Sequence, residues 1–328
     1  MTTVMPDLHL DRPRHVDEAI ALRRGHPGSR FIAGGTDLMV NIRHGISRPQ
    51  VLIDLSAVEE LAGMESDGEG VRIGAGSTIA DLARHPVIMR RYRAVAEAAA
   101  AIAGPGHRAL GTVGGNLCLD TRCVYYNQSE WWRHANNFCL KHRGDVCHVA
   151  PQGQRCHAAF TGDLAPALLA LAAEVEIAGP QARRRTPLED LYVEDGRAHL
   201  ALADDELVTA VHLKADPPPS AYAKVRVRGA IDYPLAGVAV ALAAPNGVLE
   251  RLRIALTGTN SRPFVLAGTD AMIGRPLDEK ALQDIDRLVQ KQVQPMRTTV
   301  VSAHYRRLAA AALARRLTST LYGADGSR

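Results

Sequence analysis

Hydrophobic and polar positions in the first two thirds of the chain switch between the spacing typical of strands and that typical of helices. Short apolar runs predict strands at residues 30–33, 51–55, 71–74, 175–177 and 206–213. Helical spacing predicts helices at residues 16–24, from Ser77 as N-cap through Leu82, at 92–103 before Gly104-Pro105-Gly106, and at 163–173. This mixture predicts an α+β fold.

The pattern changes after Asp216-Pro217-Pro218-Pro219-Ser220, which cannot continue regular structure and predicts a linker. Beyond it, apolar runs predict an antiparallel sheet with strands at residues 222–227, 234–242 and 252–256, and a turn at Pro245-Asn246-Gly247. Helical patterns follow at residues 279–293 and 298–317. We therefore predict two domains, residues 1–216 and a smaller α+β domain of residues 220–328.

Two glycine-rich turns are the first candidates for chemistry. Gly34-Gly35-Thr36-Asp37 follows a predicted strand, and Gly111-Thr112-Val113-Gly114-Gly115-Asn116 follows a predicted helix. Glycines let a backbone approach a phosphate closely, and successive N–H groups can bind an anion. Neither turn fits the dinucleotide fingerprint or the P-loop spacing. The pair favours a bound nucleotide on another fold, although the first turn alone is equally typical of a plain connection.

Composition narrows the class of protein without identifying it. The chain has 328 residues, 46% of them hydrophobic and 23% charged, which indicates two or three soluble globular domains. A net charge of +4 does not call for nucleic acid. Residues 1–13 do not resemble a signal peptide, and no apolar run predicts a membrane span. We expect a cytoplasmic protein, in which clustered cysteines indicate a metal more often than disulfides.

All five cysteines lie close together in one segment of the chain. They are Cys118, Cys123, Cys139, Cys147 and Cys156, separated by 4, 15, 7 and 8 residues. Structural zinc sites usually show paired cysteines two to four residues apart, and only the first pair comes close. Four dispersed thiolates suit a cubane iron–sulfur cluster better. Zinc and buried free thiols remain the alternatives.

A cubane cluster needs four cysteine ligands, so one of the five cysteines is not a ligand. Cys118 comes two residues after Asn116 and is expected to belong to the second glycine turn. The predicted cluster ligands are therefore Cys123, Cys139, Cys147 and Cys156. Basic residues around them are expected to raise the reduction potential of a cluster, namely Arg122, Arg133, Lys141, Arg143 and Arg155.

Three segments together resemble a known family. They are residues 33–38 (Ala-Gly-Gly-Thr-Asp-Leu), residues 111–116, and residues 162–169 (Gly-Asp-Leu-Ala-Pro-Ala-Leu-Leu). This combination resembles the FAD-binding medium subunit of molybdenum hydroxylases, the xanthine dehydrogenase and carbon monoxide dehydrogenase family. Tyr222-Ala223-Lys224-Val225 and residues 302–307 (Ser-Ala-His-Tyr-Arg-Arg) resemble the start and end of the family's C-terminal flavoprotein domain. The resemblance covers nearly the whole chain.

The resemblance implies a particular fold. It is a two-part FAD-binding domain like that of vanillyl-alcohol oxidase, with subdomains at about residues 1–58 and 59–216, followed by the C-terminal domain. Most family members pass almost directly from the second glycine turn to the helix after Asp163. This chain carries an insertion at residues 118–160, which resembles the β subunit of the 4-hydroxybenzoyl-CoA reductase branch. That branch holds a [4Fe–4S] cluster in this loop, and the resemblance implies the same four cysteines.

The resemblance also implies which residues contact FAD. The loop from Ile32 to Leu38 is expected to bind the pyrophosphate through its backbone N–H groups, and residues of the second turn to form a second wall. Asp163 is expected to hydrogen-bond a polar group of the cofactor, Lys224 to lie near the flavin, and Val208 to make a backbone contact. N-capping by Asp163 and a solvated Lys224 are the alternatives. The complete expected set is Ile32, Ala33, Gly34, Gly35, Thr36, Asp37, Leu38, Thr112, Gly114, Gly115, Asn116, Asp163, Val208 and Lys224.

The implied function is electron transfer within a larger enzyme, with no catalytic residue in this chain. The implied partners are a molybdopterin-binding large subunit and a [2Fe–2S] small subunit, assembled as a dimer of heterotrimers. Electrons would pass from a ferredoxin-type donor through [4Fe–4S] and FAD toward [2Fe–2S] and molybdenum. The reaction implied by the branch is the reductive dehydroxylation of 4-hydroxybenzoyl-CoA to benzoyl-CoA.

Three other functions stay open on the sequence. An oxidative hydroxylase of the same family would pass electrons outward. A self-contained flavin oxidase would need a catalytic base and a substrate pocket in this chain, and the sequence offers no such constellation. A zinc-stabilised scaffold would contain zinc and no flavin.

Overall fold

The computed structural model describes residues 5–325, which form helices, three sheets and the loops between them. The α-helices are α1 Val16–Gly25, α2 Leu38–Arg43, α3 Ile79–Arg84, α4 Pro86–Arg91, α5 Arg93–Ala101, α6 Pro105–Leu110, α7 Val113–Leu117, α8 Glu130–Ala135, α9 Leu164–Ala170, α10 Glu279–Gln292 and α11 Ala303–Asp325. The strands are β1 His9–Asp11, β2 Arg30–Ile32, β3 Val51–Asp54, β4 Met64–Ser66, β5 Gly70–Gly74, β6 Glu174–Ala178, β7 Arg183–Pro187, β8 Leu207–Lys214, β9 Ser220–Val225, β10 Ala236–Ala243, β11 Arg251–Thr257 and β12 Phe264–Val265.

The three sheets differ in their direction of pairing. The first sheet is parallel, with the order β1-β3-β2. The second has the order β4-β5-β8-β6-β7 and the third the order β12-β11-β10-β9, and both are antiparallel. The α+β prediction and the antiparallel sheet predicted for the C-terminal part are therefore confirmed. Among residues 5–325, none of the helices has both the length and the apolarity of a membrane span.

Two large hydrophobic cores hold these layers together. In the first core α3, α5 and α9 cover the second sheet, and it includes the fully buried Ile73, Leu82 and Val211. In the second core α10 and α11 pack on the third sheet, as Ile254 and Ala314 illustrate. Every residue of α9 is buried, because it also packs against β10 and β11. This helix therefore joins the two cores.

Several element boundaries differ from the sequence predictions. Thr78, and not Ser77, caps α3: its Oγ1 accepts the Asp81 N–H at 3.1 Å, whereas the Ser77 hydroxyl donates to the Gly63 carbonyl. Helix α5 ends at Ala101, and Pro105 then begins α6, since proline suits the first turn of a helix. The second glycine turn contains a short helix, α7.

The C-terminal helix also begins later than predicted, at Ala303 and not at residue 298. The residues before it are held in a turn by the buried Arg306. Arg306 donates hydrogen bonds to the carbonyls of Leu235 at 3.0 Å, Met296 at 2.9 Å and Gly258, and to the Thr298 hydroxyl at 3.1 Å. One guanidinium therefore fixes the start of α11 against the third sheet.

Replacing Arg306 tests this packing. Arg306→Met keeps most of the volume but leaves buried carbonyls without a donor, so we expect a loss of about 3–5 kcal/mol in unfolding free energy. Urea unfolding followed by circular dichroism measures it. The matched control is Arg297→Met, at an exposed position in the same turn. Equal stability of the two variants would contradict a structural role for Arg306.

Candidate functional site

A cavity of about 1360 Å³ lies between the first sheet and the helices that cover the second. This volume exceeds the roughly 300–1,000 Å³ of ordinary small-molecule sites and suits an extended ligand. Thirteen of the fourteen residues expected to contact a cofactor line it, namely Ile32, Ala33, Gly34, Gly35, Thr36, Asp37, Leu38, Thr112, Gly114, Gly115, Asn116, Asp163 and Val208. Lys224 does not line it.

The two glycine turns both line this cavity and come into contact where Gly34 meets Leu110 and Gly111. A Cβ atom on Gly34 would overlap the carbonyl oxygen of Leu110, so only glycine fits there. Gly35 has a φ of +67°, which also favours glycine. Gly114 donates its N–H to the Ala75 carbonyl at 2.8 Å. The glycines are therefore required by close backbone packing around the cavity.

Side chains of the second turn fix the helices around it. Thr112 caps α7, because its Oγ1 accepts the Gly115 N–H at 3.1 Å. The Asn116 Oδ1 accepts the Leu164 N–H at 3.1 Å and so satisfies the first turn of α9. Asp163 makes no capping bond to that helix. The alternative that Asp163 merely caps α9 is therefore wrong.

The Asp163 carboxylate instead binds two residues of β9. It accepts a hydrogen bond from the Tyr222 hydroxyl at 2.6 Å and forms an ion pair with the Lys224 ammonium at 2.9 Å. Only 5% of the Asp163 side chain and 3% of the Lys224 side chain are exposed. Burial raises the pKa of Asp163, while the charge of Lys224 and the hydrogen bonds oppose that rise. The alternative of a solvated Lys224 is therefore wrong: its ammonium is buried against Asp163, which lines the cavity.

Asp37, in the first turn, is tied to the start of the cysteine segment. Its carboxylate pairs with the Arg122 guanidinium and accepts a hydrogen bond from the Asn41 side chain at 3.0 Å. Arg122 also lies over the Tyr233 ring, 5.0 Å from its centroid. Tyr233 lines the same cavity and was not predicted, because a single aromatic residue in a loop carries no sequence signal.

His199 is a second residue of this cavity that the sequence did not reveal. Its side chain is buried, and its Nε2 has no hydrogen-bond partner among the residues that the structure describes. Burial lowers the pKa of His199 to about 4, so the imidazole is neutral near neutral pH. A neutral, unpartnered ring nitrogen can accept or donate one hydrogen bond to a bound ligand.

Four cysteines meet at a second, much smaller cavity. Cys123, Cys139, Cys147 and Cys156 all line it, and each is at most 9% exposed. Its volume is about 10 Å³, roughly that of one water. Cys118 does not line this cavity and lines the large cavity instead. Within residues 5–325, no three or more His, Cys, Asp or Glu side chains are grouped closely enough to hold a metal ion.

The segment that carries these cysteines leaves and rejoins the fold at one place. Arg122 and Ala159 exchange two backbone hydrogen bonds, of 2.7 and 2.8 Å, which close its base. Burial raises the pKa of the Cys123 thiol to about 11 and that of Cys156 to about 12, and the charge of Lys141 opposes the rise at Cys156. The thiols of Cys123 and Cys156 are therefore protonated at neutral pH in this conformation, and metal binding there has to displace those protons.

The buried pair of Asp163 and Lys224 gives a prediction about stability. Asp163→Asn and Lys224→Met should each cost about 3–5 kcal/mol, because each leaves the opposite charge buried and unpaired. The double variant should lose less than the sum of the two. Urea unfolding of all four proteins measures this coupling. As a control, Arg228→Gln breaks an exposed ion pair with Asp232 and should change stability little. Additive losses in the Asp163 and Lys224 double variant would contradict direct pairing of these two residues.

Comparison with known proteins is consistent with this geometry. Residues 6–214 match the family model described as the FAD binding domain in molybdopterin dehydrogenase. Residues 220–321 match that of the CO dehydrogenase flavoprotein C-terminal domain. The aldehyde oxidoreductase FAD-binding subunit PaoB of Escherichia coli (strain K12) is 34% identical over 262 residues, which cover 76% of this chain and 80% of PaoB. The carbon monoxide dehydrogenase medium chain of Hydrogenophaga pseudoflava is 28% identical, over 85% of both chains.

Solved structures extend the similarity to the whole fold. Carbon monoxide dehydrogenase from Hydrogenophaga pseudoflava, without the Mo-pyranopterin moiety of its cofactor, superimposes with a TM-score of 0.80 at 23% identity, covering 98% of this chain and 99% of that one. Quinoline 2-oxidoreductase from Pseudomonas putida 86 gives 0.78 at 20% identity, with the same coverage. The chain is thus an FAD-binding medium subunit of the xanthine dehydrogenase and CO dehydrogenase family of molybdenum hydroxylases.

Proposed function

We propose that this chain is an electron-transfer subunit that binds a [4Fe–4S] cluster in addition to FAD. The observation that carries the proposal is the convergence of four buried cysteines on one cavity, beside the cavity expected to hold FAD. When bound, FAD exchanges electrons singly or in pairs and an iron–sulfur cluster exchanges them one at a time. A subunit with both groups can adapt a one-electron carrier to two-electron chemistry.

The walls of the large cavity suit FAD. Backbone N–H groups of residues 32–38 and 112–116 would hold the pyrophosphate, and the contact at Gly34 sets the spacing between the two turns. Asp163 would accept a hydrogen bond from the cofactor while Tyr222 and Lys224 hold its carboxylate in place. Val208 would make a backbone contact. Lys224 is a positioning residue in this proposal, because its ammonium reaches Asp163 and not the cavity.

The second cavity suits a cluster in its donor set but not in its present size. Thiolates are the ligands that iron–sulfur clusters require, and four surround the cavity. Zinc would draw four thiolates to within about 4 Å of one another, given a Zn–S distance of about 2.3 Å. Within residues 5–325 no ligand group lies close enough to hold a metal ion, so the present thiol positions favour neither zinc nor a cluster, and the four-cysteine donor set is what supports the proposal. A cavity of about 10 Å³ means that the cysteine side chains must spread to admit the cluster.

We further propose the partners implied by the family. They are a molybdopterin-binding large subunit and a [2Fe–2S] small subunit, in a dimer of heterotrimers, with a ferredoxin-type donor. Residues 118–160 support the 4-hydroxybenzoyl-CoA reductase branch through their resemblance to its insertion, and hence reductive dehydroxylation to benzoyl-CoA. The second candidate is an oxidative hydroxylase, which the names of the relatives, an aldehyde oxidoreductase and a carbon monoxide dehydrogenase, support equally well.

Metal content tests the cluster directly. Protein purified anaerobically should contain about four irons and one FAD per chain. Cys139→Ser should lose most of the iron and its EPR signal, because Cys139 lines the cysteine cavity. Cys118→Ser is the matched control and should keep both, because Cys118 lines the large cavity instead. FAD without iron would refute the cluster, and zinc without flavin would favour the scaffold.

Flavin content tests the proposed FAD site. Gly34→Ala should weaken FAD binding at least about tenfold, or about 1.4 kcal/mol, because the new methyl group forces the two turns apart. Flavin fluorescence during dialysis against dilute FAD measures the affinity. Gly106→Ala is the control, since a Cβ there has no heavy atom within 4 Å. Equal affinities in the two variants would place the pyrophosphate elsewhere.

A further inference from the structure

Three side chains separate the two cavities, and we call them the partition: Tyr126, Asp120 and Lys141. Among residues 5–325, Tyr126 is the one residue that lines both cavities. Asp120 lines the large cavity, and Lys141 lines the cysteine cavity. The Lys141 Nζ lies 2.6 Å from the Asp120 Oδ1 and 4.4 Å from the centre of the Tyr126 ring. A charge pair therefore spans the wall between the two sites.

Lys141 differs from the other basic residues of the segment. Its side chain is 5% exposed, and its ammonium also donates to the Thr121 carbonyl at 3.1 Å. Arg143 lies two residues further along, but its side chain is 51% exposed and reaches Glu130. Arg133 is buried, yet it donates to the Gly45 carbonyl and does not line the cysteine cavity. Of the lysines and arginines in residues 5–325, only Lys141 lines that cavity.

We propose that Lys141 and Asp120 set the reduction potential of the cluster in opposite directions. This inference rests on the proposed function, which places a cluster among the four cysteines. A one-electron reduction adds negative charge to the cysteine cavity and breaks no bond to either residue. A fixed buried ammonium stabilises that charge, whereas a carboxylate opposes it, and screening by water is weak at such sites. Lys141 has the larger effect, because it lines the cavity and Asp120 lies behind it.

The two charges of the partition face different cavities. The ammonium faces the cysteines and the carboxylate faces the large cavity. The Asp120 side chain is 28% exposed, so water screens its charge more than it screens that of Lys141. Cluster potentials depend on net charge and on hydrogen bonding around the sulfurs. This pair is therefore placed to hold the cluster potential above the value that the four thiolates alone would give.

Opposite substitutions test the proposal in the full chain, purified anaerobically. Lys141→Gln should lower the midpoint potential by about 59 mV or more, which is a tenfold change in the one-electron equilibrium constant. Asp120→Asn should raise it, and the double variant should fall between the two. The readout is a dye-mediated redox titration followed by EPR, with iron counted in every sample. Arg143→Gln removes a charge from the surface of the same loop and should shift the potential by less than a third as much.

The outcomes separate the two proposals. Wild-type protein without iron overturns the proposed function and this inference with it. Iron-loaded variants whose potentials do not move, or move in the same direction, overturn the inference alone, because loosening of the loop would not give opposite signs. If Lys141→Gln fails to retain iron, two other variants test the inference. Lys141→Arg should keep the midpoint potential within about 20 mV of wild type, a roughly twofold change in the equilibrium constant. Asp120→Asn should still raise the midpoint potential.

Discussion

The fold depends on a buried charge that neither domain satisfies alone. Asp163 precedes α9 in the N-terminal domain, and its carboxylate is bound by Tyr222 and Lys224 of β9. A carboxylate this deeply buried is tolerated only when its partners are in place, because an unpaired charge costs several kcal/mol. The position of β9 against α9 is therefore fixed by chemistry as well as by apolar packing. The same carboxylate lines the large cavity, so the cavity is complete only when the C-terminal domain is in place.

The cysteine segment is inserted between two helices of the N-terminal domain. It begins just after α7 and returns just before α9, and the backbone pairing of Arg122 with Ala159 closes its base. Leu119 and Phe160, near its two ends, belong to the N-terminal core, whereas Cys123, Cys139 and Cys156 form a separate small cluster. Arg122 also pairs with Asp37 of the first glycine turn. One residue thus links the segment to the wall proposed to hold the pyrophosphate.

The sequence predicted those features whose physical cause is local. Glycine turns are visible because only glycine allows the close approach at Gly34, and apolar periodicity located the core strands. Strand β7 was not predicted, since it is an exposed edge strand containing Arg183, Arg184 and Arg185. The roles of Asn116 and Lys224 were hidden for a different reason. Their partners, Leu164 and Asp163, lie 48 and 61 residues away in the chain, and no local pattern encodes such pairs.

The partition shows that contacts distant in sequence, and not the composition of the loop, decide which basic residue lies at the cysteine cavity. Five basic residues surround the cysteines in sequence, and composition alone assigns them equal weight. Folding separates them: Arg143 turns to solvent, Arg122 turns to Asp37, and Lys141 is drawn inward by Asp120. Arg133 is also buried, but among these five residues only Lys141 lines the cysteine cavity, and electrostatic effects fall with distance. The ammonium that lines the cysteine cavity is thus held in place by the Asp120 carboxylate, which itself lines the cavity proposed for FAD.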